Sequence, residues 1–352
     1  QSERKTAYIH AVCSELEMRK EYLGGETIET IYWGGGTPSQ LDKEDFETIF
    51  YYLHKNYSIS SHPEITLEAN PDDLTPDYIA MLRTLPFNRL SMGIQTFNES
   101  ILKVLQRRHT ARQAIEAFQN CRAAGFQNIS IDLMYGLPGE TLSTWQQDLD
   151  QALLLHPEHL SAYHLIYEED TVLWKLREQH KVEEADEDLS VSLFSTLIDR
   201  LTSEGYDHYE ISNFSLPGLY SRHNSSYWTE KKYLGCGPSA HSYNGVSRQW
   251  NVASLDTYIK GISAGTPVFE IEELDLYTRY NDFVITRIRT EWGMPLSKLR
   301  DEFGEKLYDY CLRMAAPHLK QGTLELVNDI LKLTRKGIFI SDGIMSDMLW
   351  TD

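Results

Sequence analysis

Cysteine is scarce in this 352-residue sequence: Cys13, Cys121, Cys236 and Cys311 are all there are. They stand at least 75 residues apart, which excludes both a disulfide framework and a local metal-ligand cluster. A reducing cytosol is the expected compartment. Long apolar runs are also missing; nothing approaches the ~20 residues of a membrane span. Positive charge is short as well. Lys and Arg number 33 against 52 Asp and Glu, a formal net charge of −19, which argues against a general nucleic-acid binder. The chain opens with Gln1 rather than Met and carries no signal-peptide pattern, so a native start further upstream is expected.

What is present reads as an ordinary globular protein, with 41% hydrophobic and 24% charged residues. Short apolar strands are expected at Ile28–Trp33, Ile65–Ala69, Arg89–Ile94, Ile129–Leu133 and Leu160–Ile166. Amphipathic helices alternate with them at Lys43–Lys55, Pro76–Leu85, Ala111–Ala124 and Leu142–Leu155. Such alternation predicts a mainly parallel sheet with right-handed crossovers. The helical stretch Arg4–Tyr22 has no strand before it, as if a first strand preceded the chain. The acidic run Val182–Asp188 reads as a solvated helix start.

Strand alternation places Thr66, Glu68 and Asn70 on one face of the second strand, and Arg89, Ser91, Gly93 and Gln95 on one face of the third. A closed eight-stranded barrel fills its interior with aliphatic layers. A polar inner face predicts instead an open or wider barrel around a polar ligand. All five strands end in unusual residues, from Gly34-Gly35-Gly36-Thr37-Pro38 through Asp132 to His164, Tyr167 and Glu168. In parallel α/β folds ligands bind at such carboxyl ends.

Three glycines in succession demand a close approach to the backbone or unusual dihedrals. No Lys follows them, so a P-loop fails. The G-x-G-x-x-G spacing of a dinucleotide fold fails too. What remains is a sheet edge whose backbone meets the amino group of a zwitterion. Glu68 is placed for ribose hydroxyls, and Arg107 and Gln95 for a carboxylate. Those are the recognition elements of S-adenosylmethionine.

The ordered series "YWGGGTPS", "EANP", "RLSMGIQTF", "IDLMYGLPGET" and "EISNF" resembles the radical S-adenosylmethionine enzymes of the oxygen-independent coproporphyrinogen III oxidase family. "SRHNSSYW" and "YLGCGPSAHS" are most similar to its HemW-type haem-chaperone branch. The resemblance implies an α/β fold, a partial (β/α)6 barrel with a C-terminal helical, winged-helix-like domain. It divides the chain into a barrel over 1–170, an extension over 171–277 and the C-terminal domain over 278–352. It implies S-adenosylmethionine contacts at Gly35, Gly36, Thr37, Glu68, Gln95, Arg107, Asp132 and Ile166. It also implies a C-x3-C-x2-C loop holding a 4Fe–4S cluster, for which this chain has no ligands; those cysteines are expected upstream of Gln1. Reading the coding sequence there tests this.

From the residues alone His223 is a loop histidine bonded to its neighbours; by the resemblance it is a haem ligand, with His241 a weaker candidate. The implied functions are haem delivery to respiratory haem proteins or oxidative decarboxylation of coproporphyrinogen III. Neither nucleic acid nor a membrane span is expected, and oligomeric state is left open. The hairpin "TLELVNDILKLT" is expected to turn at Asn328-Asp329.

Overall fold

The structure, a computed structural model, describes residues 2–352. Its chain forms two compact units. One comprises 32–40 and 64–221, the other 1–31, 41–63 and 222–352.

Among the described residues seven strands make the main sheet: β1 (Ile28–Trp33), β2 (Ile59–Ala69), β3 (Arg89–Gln95), β4 (Ile129–Tyr135), β5 (His159–His164), β6 (Asp207–Glu210) and β7 (Asn213–Ser215). Their order is β1-β2-β3-β4-β5-β7-β6. The ladders from β2 to β5 are parallel, so the carboxyl ends of these strands share one edge. The fold is a half-barrel, the open one of the two forms that the alternation allowed and the partial barrel that the resemblance implied. Two short strands prolong it in the antiparallel sense, β7 against β5 and β6 against β7. At three or four residues each, and mostly polar, they give no periodic signal.

Alternation sets the layers. Leu67, Leu90, Met92, Ile94, Ile129, Ile131, Leu133 and Leu160 are buried on the helix side, each worth about 1.5–3 kcal/mol of transfer free energy. The helix Ala111–Ala123 buries Ala114, Ala117, Phe118 and Cys121. The helix Leu142–Leu154 buries Trp145, Asp148, Leu149 and Ala152. Both show the i, i+3, i+4, i+7 spacing of one face. Thr110 and Thr141 start them through capping boxes. The opposite face of the sheet carries Thr66, Glu68, Arg89, Ser91, Ser130, Asp132, His159 and Ser161 in register.

The other unit contains the helix Ser2–Met18 and an antiparallel sheet of β8 (His241–Tyr243), β9 (Ser247–Asn251) and β10 (Phe269–Glu273). Its buried Glu15 carboxylate accepts hydrogen bonds from the Gly237 amide, Asn251 Nδ2 and the Tyr258 hydroxyl at 2.7–2.8 Å. In the C-terminal part, β11 (Met294–Pro295), β12 (Leu324–Val327) and β13 (Ile330–Leu333) form a small sheet beside the long helix Leu296–Gln321. That helix is interrupted at Gly304, whose φ of 86° is left-handed. Asn328 and Asp329, with φ of 50° and 69°, make the expected tight hairpin turn.

Asp148 pins the chain after β3. Its carboxylate accepts from Thr96 Oγ1 at 2.7 Å and from the Phe97 amide at 2.9 Å. Replacing it by Ala strands two buried donors, so Asp148→Ala should cost about 2–3 kcal/mol in urea unfolding, while Asp148→Asn, which keeps one acceptor, should cost less.

Candidate cofactor-binding site

The three glycines serve two separate needs. A Cβ on Gly34 would sit 2.5 Å from the Tyr32 ring and 2.8 Å from the Glu68 carboxyl carbon. Gly35 and Gly36 adopt φ of 73° and 85°, and a Cβ there would meet nothing within 4 Å. Backbone is thus presented bare, in a conformation other residues resist. Glu68 holds the segment. Its Oε1 accepts from the Tyr32 hydroxyl at 2.5 Å, and its Oε2 accepts from the Gly35 amide at 3.2 Å. Burial and the Glu68 charge push the Tyr32 phenol up, which keeps the proton on Tyr32. Thr37 leads into a short 3-10 turn, Pro38–Gln40, which Ser39 ties to Asp73 at 2.8 Å.

Gln95 lies at the end of β3, where the ladder to β4 slips between Gly93 and Gln95. Its φ of 73° is left-handed. A bulge of this kind redirects a side chain from the pleat. Arg107 Nη2 donates to Asn70 Oδ1 at 3.1 Å and to the Gly93 carbonyl at 2.8 Å. A Cβ on Gly93 would lie 3.3 Å from both Arg107 Nη2 and Gln95 Nε2, so the three groups converge. The Arg107 Nε is buried without a hydrogen-bond partner among the described residues. Burial lowers the Arg107 pKa.

Asp132 is opposite Gly93 on β4. Burial, reinforced by the Glu68 charge, pushes its pKa up to about 7, against the pull of Arg89 and Arg107. In the following loop Glu140 accepts from the Gly136 and Leu137 amides, yet burial still pushes it up to about 8. The structure therefore brings Gly35, Gly36 and Thr37 after β1, Glu68 near the end of β2 and Gln95 at the end of β3 to one edge, with Asp132 in the middle of β4 and Arg107 reaching Gly93 from the connection between β3 and β4.

Ile166 is placed differently. The fifth strand was expected to run to Ile166 but ends at His164. Leu165 and Tyr167 turn in to pack with Leu137, which leaves the Ile166 side chain 73% exposed in the loop. Tyr32 went unread in the sequence, although its place two residues before Gly34 put it on the face of Thr30.

His223 stands on the helix Arg222–Trp228 rather than in a loop. Its Nδ1 is 2.7 Å from Thr30 Oγ1 and its Nε2 is 2.8 Å from the Tyr227 hydroxyl. Tyr227, one turn along, stacks edge-on against Tyr233. His241 lies nearly parallel to the Trp250 ring at 5.8 Å.

These residues suit S-adenosylmethionine: bare glycine backbone for its ammonium and a guanidinium for its carboxylate. They do not suit an iron–sulfur cluster. Cys13, Cys121 and Cys311 are buried free thiols, pushed up to about 11, 12 and 11 by burial. Among the described residues no three His, Cys, Asp or Glu side chains gather to hold a metal.

The sequence signature of the Radical SAM superfamily matches residues 6–152, and that of the HemN C-terminal domain matches residues 274–340. The heme chaperone HemW of Mycobacterium tuberculosis (strain ATCC 25618 / H37Rv) is 32% identical over 97% of this chain and 86% of its own length. The heme chaperone HemW of Bacillus subtilis (strain 168) is 30% identical over 99% of this chain and 93% of its own length. This chain belongs to the HemW-type branch of the radical S-adenosylmethionine family. Its fold matches that of the coproporphyrinogen III oxidase HemN from Escherichia coli with a TM-score of 0.83, at 23% identity, over 99% of this chain and 84% of the other. Family membership implies S-adenosylmethionine and a 4Fe–4S cluster as cofactors. No helix of the described residues is long and apolar enough to cross a membrane.

The titrations of Asp132 and Glu140 have a consequence for stability. Both folded-state pKa values lie above the ordinary 3.8 and 4.5, so the folded state holds these protons more tightly than the unfolded chain. Their contribution is full below about pH 4 and is lost as pH rises through about 7 and 8. Denaturation at pH 5.5 and 8.5 should show lower stability at the higher pH, and Asp132→Asn and Glu140→Gln should each flatten that slope.

Proposed function

We propose that this protein is a haem chaperone that binds S-adenosylmethionine in its half-barrel and haem through His223, and delivers the haem to respiratory haem proteins. The observation that carries the reading is the helix "RHNSSYW", with both ring nitrogens of His223 hydrogen-bonded, in a chain whose relatives are heme chaperones. An iron ligand at Nε2 needs the proton on Nδ1. Thr30 Oγ1 supports that tautomer by accepting from Nδ1, which leaves the Nε2 lone pair toward Tyr227. The Tyr227 side chain is 39% exposed, so its hydroxyl can swing aside and hydrogen-bond water as the iron arrives.

In the half-barrel, Gly35, Gly36 and Thr37 would meet the methionine amino group, with Glu68 fixing the segment they lie on. Arg107 and Gln95 would take the carboxylate. Asp132 would complete the polar wall, and Ile166 would cover the adenine from the loop. S-adenosylmethionine, when cleaved reductively beside a 4Fe–4S cluster, supplies a 5′-deoxyadenosyl radical. This chain's own contribution is to bind and orient that molecule on the polar face of its sheet.

The second reading is an oxygen-independent coproporphyrinogen III oxidase, favoured by the close match to the HemN fold. The two part on product. Under anaerobic reducing conditions with S-adenosylmethionine, coproporphyrinogen III should be recovered unchanged; vinyl products would replace the chaperone reading with the oxidase.

Haem titration followed by the Soret band tests His223 directly. His223→Ala should abolish the shift, whereas Tyr227→Phe, which removes the competitor for Nε2, should preserve or strengthen it. An unchanged titration with His223→Ala would move the haem site elsewhere.

A further inference from the structure

The small antiparallel sheet ends in a strand whose residues all face solvent. Its order is β10-β9-β8, which puts β10 at an edge. All five residues of that strand, Phe269–Glu273, are exposed.

The register decides which backbone groups face outward. Phe269 lies opposite Asn251, Glu270 opposite Trp250, Ile271 opposite Gln249 and Glu272 opposite Arg248. The Val252 amide donates to the Val268 carbonyl at 3.0 Å, and the Leu274 amide to the Val246 carbonyl at 2.9 Å. Bonded pairs alternate along an antiparallel ladder. Glu270 and Glu272 therefore turn their N–H and C=O toward β9, while Phe269, Ile271 and Glu273 turn theirs to the open edge. Those outward groups have no hydrogen-bond partner among the described residues.

The side chains divide by the same parity. Phe269 and Ile271 share the face of Asn251 and Gln249. Gln249 and Asn251 are buried, yet Phe269 and Ile271 are 43% and 53% exposed, so the cover over this face stops at β9. The opposite face runs in rows across the sheet. Tyr243, Arg248 and Glu272 make one row; His241, Trp250 and Glu270 make the next. Among the described residues Glu270, Glu272 and Glu273 form no ion pair, and Arg248 is taken by Asp282 at 3.0 Å. Charges on an edge ordinarily keep it from pairing. Here Glu270 and Glu272 stand on one face, and two large apolar side chains lie open on the other.

We propose that the β10 edge is a docking site for an extended, basic segment of a partner protein, added to the sheet as a fourth strand. The outward N–H and C=O groups of Phe269, Ile271 and Glu273 supply the pairing. Basic side chains at alternate positions meet Glu270 and Glu272, and the apolar ones between them cover Phe269 and Ile271. A second copy of this chain is a poor occupant. Antiparallel pairing of two β10 strands about Ile271 sets Glu270 opposite Glu272, and pairing about Glu270 sets that residue opposite itself. Like charges directly opposite destabilise a sheet, and each chain already carries a net charge of −19. The inference is independent of haem ligation by His223 and of the half-barrel.

Fluorescence anisotropy on the full chain, with a labelled and capped heptapeptide alternating lysine and valine, tests the proposal. One control replaces lysine by glutamate. The other is N-methylated on the valines, the residues that would lie opposite Phe269 and Ile271, and cannot pair along that edge. At physiological ionic strength the lysine–valine peptide should bind about tenfold tighter than either control. It should also slow hydrogen exchange at the Phe269 and Ile271 amides. Ile271→Pro removes an outward N–H and leaves the ladder to β9 intact, so it should weaken binding about tenfold. Glu270→Lys combined with Glu272→Lys should transfer the preference to the glutamate–valine peptide. Circular dichroism checks each variant; should Ile271→Pro not fold, the N-methylated peptide carries the same comparison. Equal binding of methylated and unmethylated peptides would reduce the edge to a charged patch and overturn the proposal. Failure of the wild type to bind, or slow exchange at these amides in the free protein, overturns it as well. So does a dimer that Ile271→Pro dissociates, since the occupant would then be a second copy.

Discussion

The carboxylate of Glu68 is the contact on which the strand-end site depends. One oxygen takes the Tyr32 hydroxyl and the other the Gly35 amide. Through these two bonds the second strand determines how the first one ends. Left-handed dihedrals at Gly35 and Gly36 cost conformational entropy, because glycine loses more freedom on folding than any other residue. A charge-assisted hydrogen bond to the Gly35 amide offsets part of that cost. It also requires Gly34 to lack a side chain, since the Tyr32 ring and the Glu68 carboxyl occupy the space a Cβ would need. A carboxylate on one strand thus accounts for Gly34 and Gly35 on its neighbour.

Charge balance extends the same logic around the cavity. Glu64, Glu68 and Asp132 are acids on this face, with Arg89 beside them on β3 and Arg107 reaching in from the following connection. Burial raises the cost of every unpaired charge, and the Glu68 charge raises the affinity of Asp132 for its proton. Asp132 consequently titrates near neutrality, whereas Arg107 spends two hydrogen bonds on its own strand ends and keeps Nε in reserve. An amino-acid end, with one ammonium and one carboxylate, adds no net charge to such a face. This is the electrostatic reason the polar face accommodates an amino-acid end more readily than a phosphate.

Much of the fold was legible in the sequence because its signals are local. The starts of β1, β3 and β4 and the turn at Asn328-Asp329 follow from period-two alternation and turn chemistry. The polar parity of Thr66, Glu68, Arg89 and Ser91 announced a half-barrel with a hydrophilic interior. What stayed hidden depends on neighbours that lie far apart in sequence. Tyr32 matters through Glu68, 36 residues away, and only strand order reveals the pair. Ile166 was expected on a strand because its apolar run continues past His164; the packing of Leu165 and Tyr167 on Leu137 ended the strand sooner. The strands β6 and β7 were too short and too polar to show a period. For His223, residue type and motif suggested iron, but only coordinates display Thr30 and Tyr227 on its two nitrogens.

Calorimetric titration of S-adenosylmethionine into the wild-type protein and Glu68→Gln tests the central claim most directly. The glutamine keeps the size of the side chain but accepts at one oxygen and turns an N–H toward either Tyr32 or Gly35. Saturable binding by the wild type, weakened about tenfold in the variant, ~1.4 kcal/mol, is the predicted result. Equal affinity for both proteins would contradict a glycine clasp held in place by Glu68.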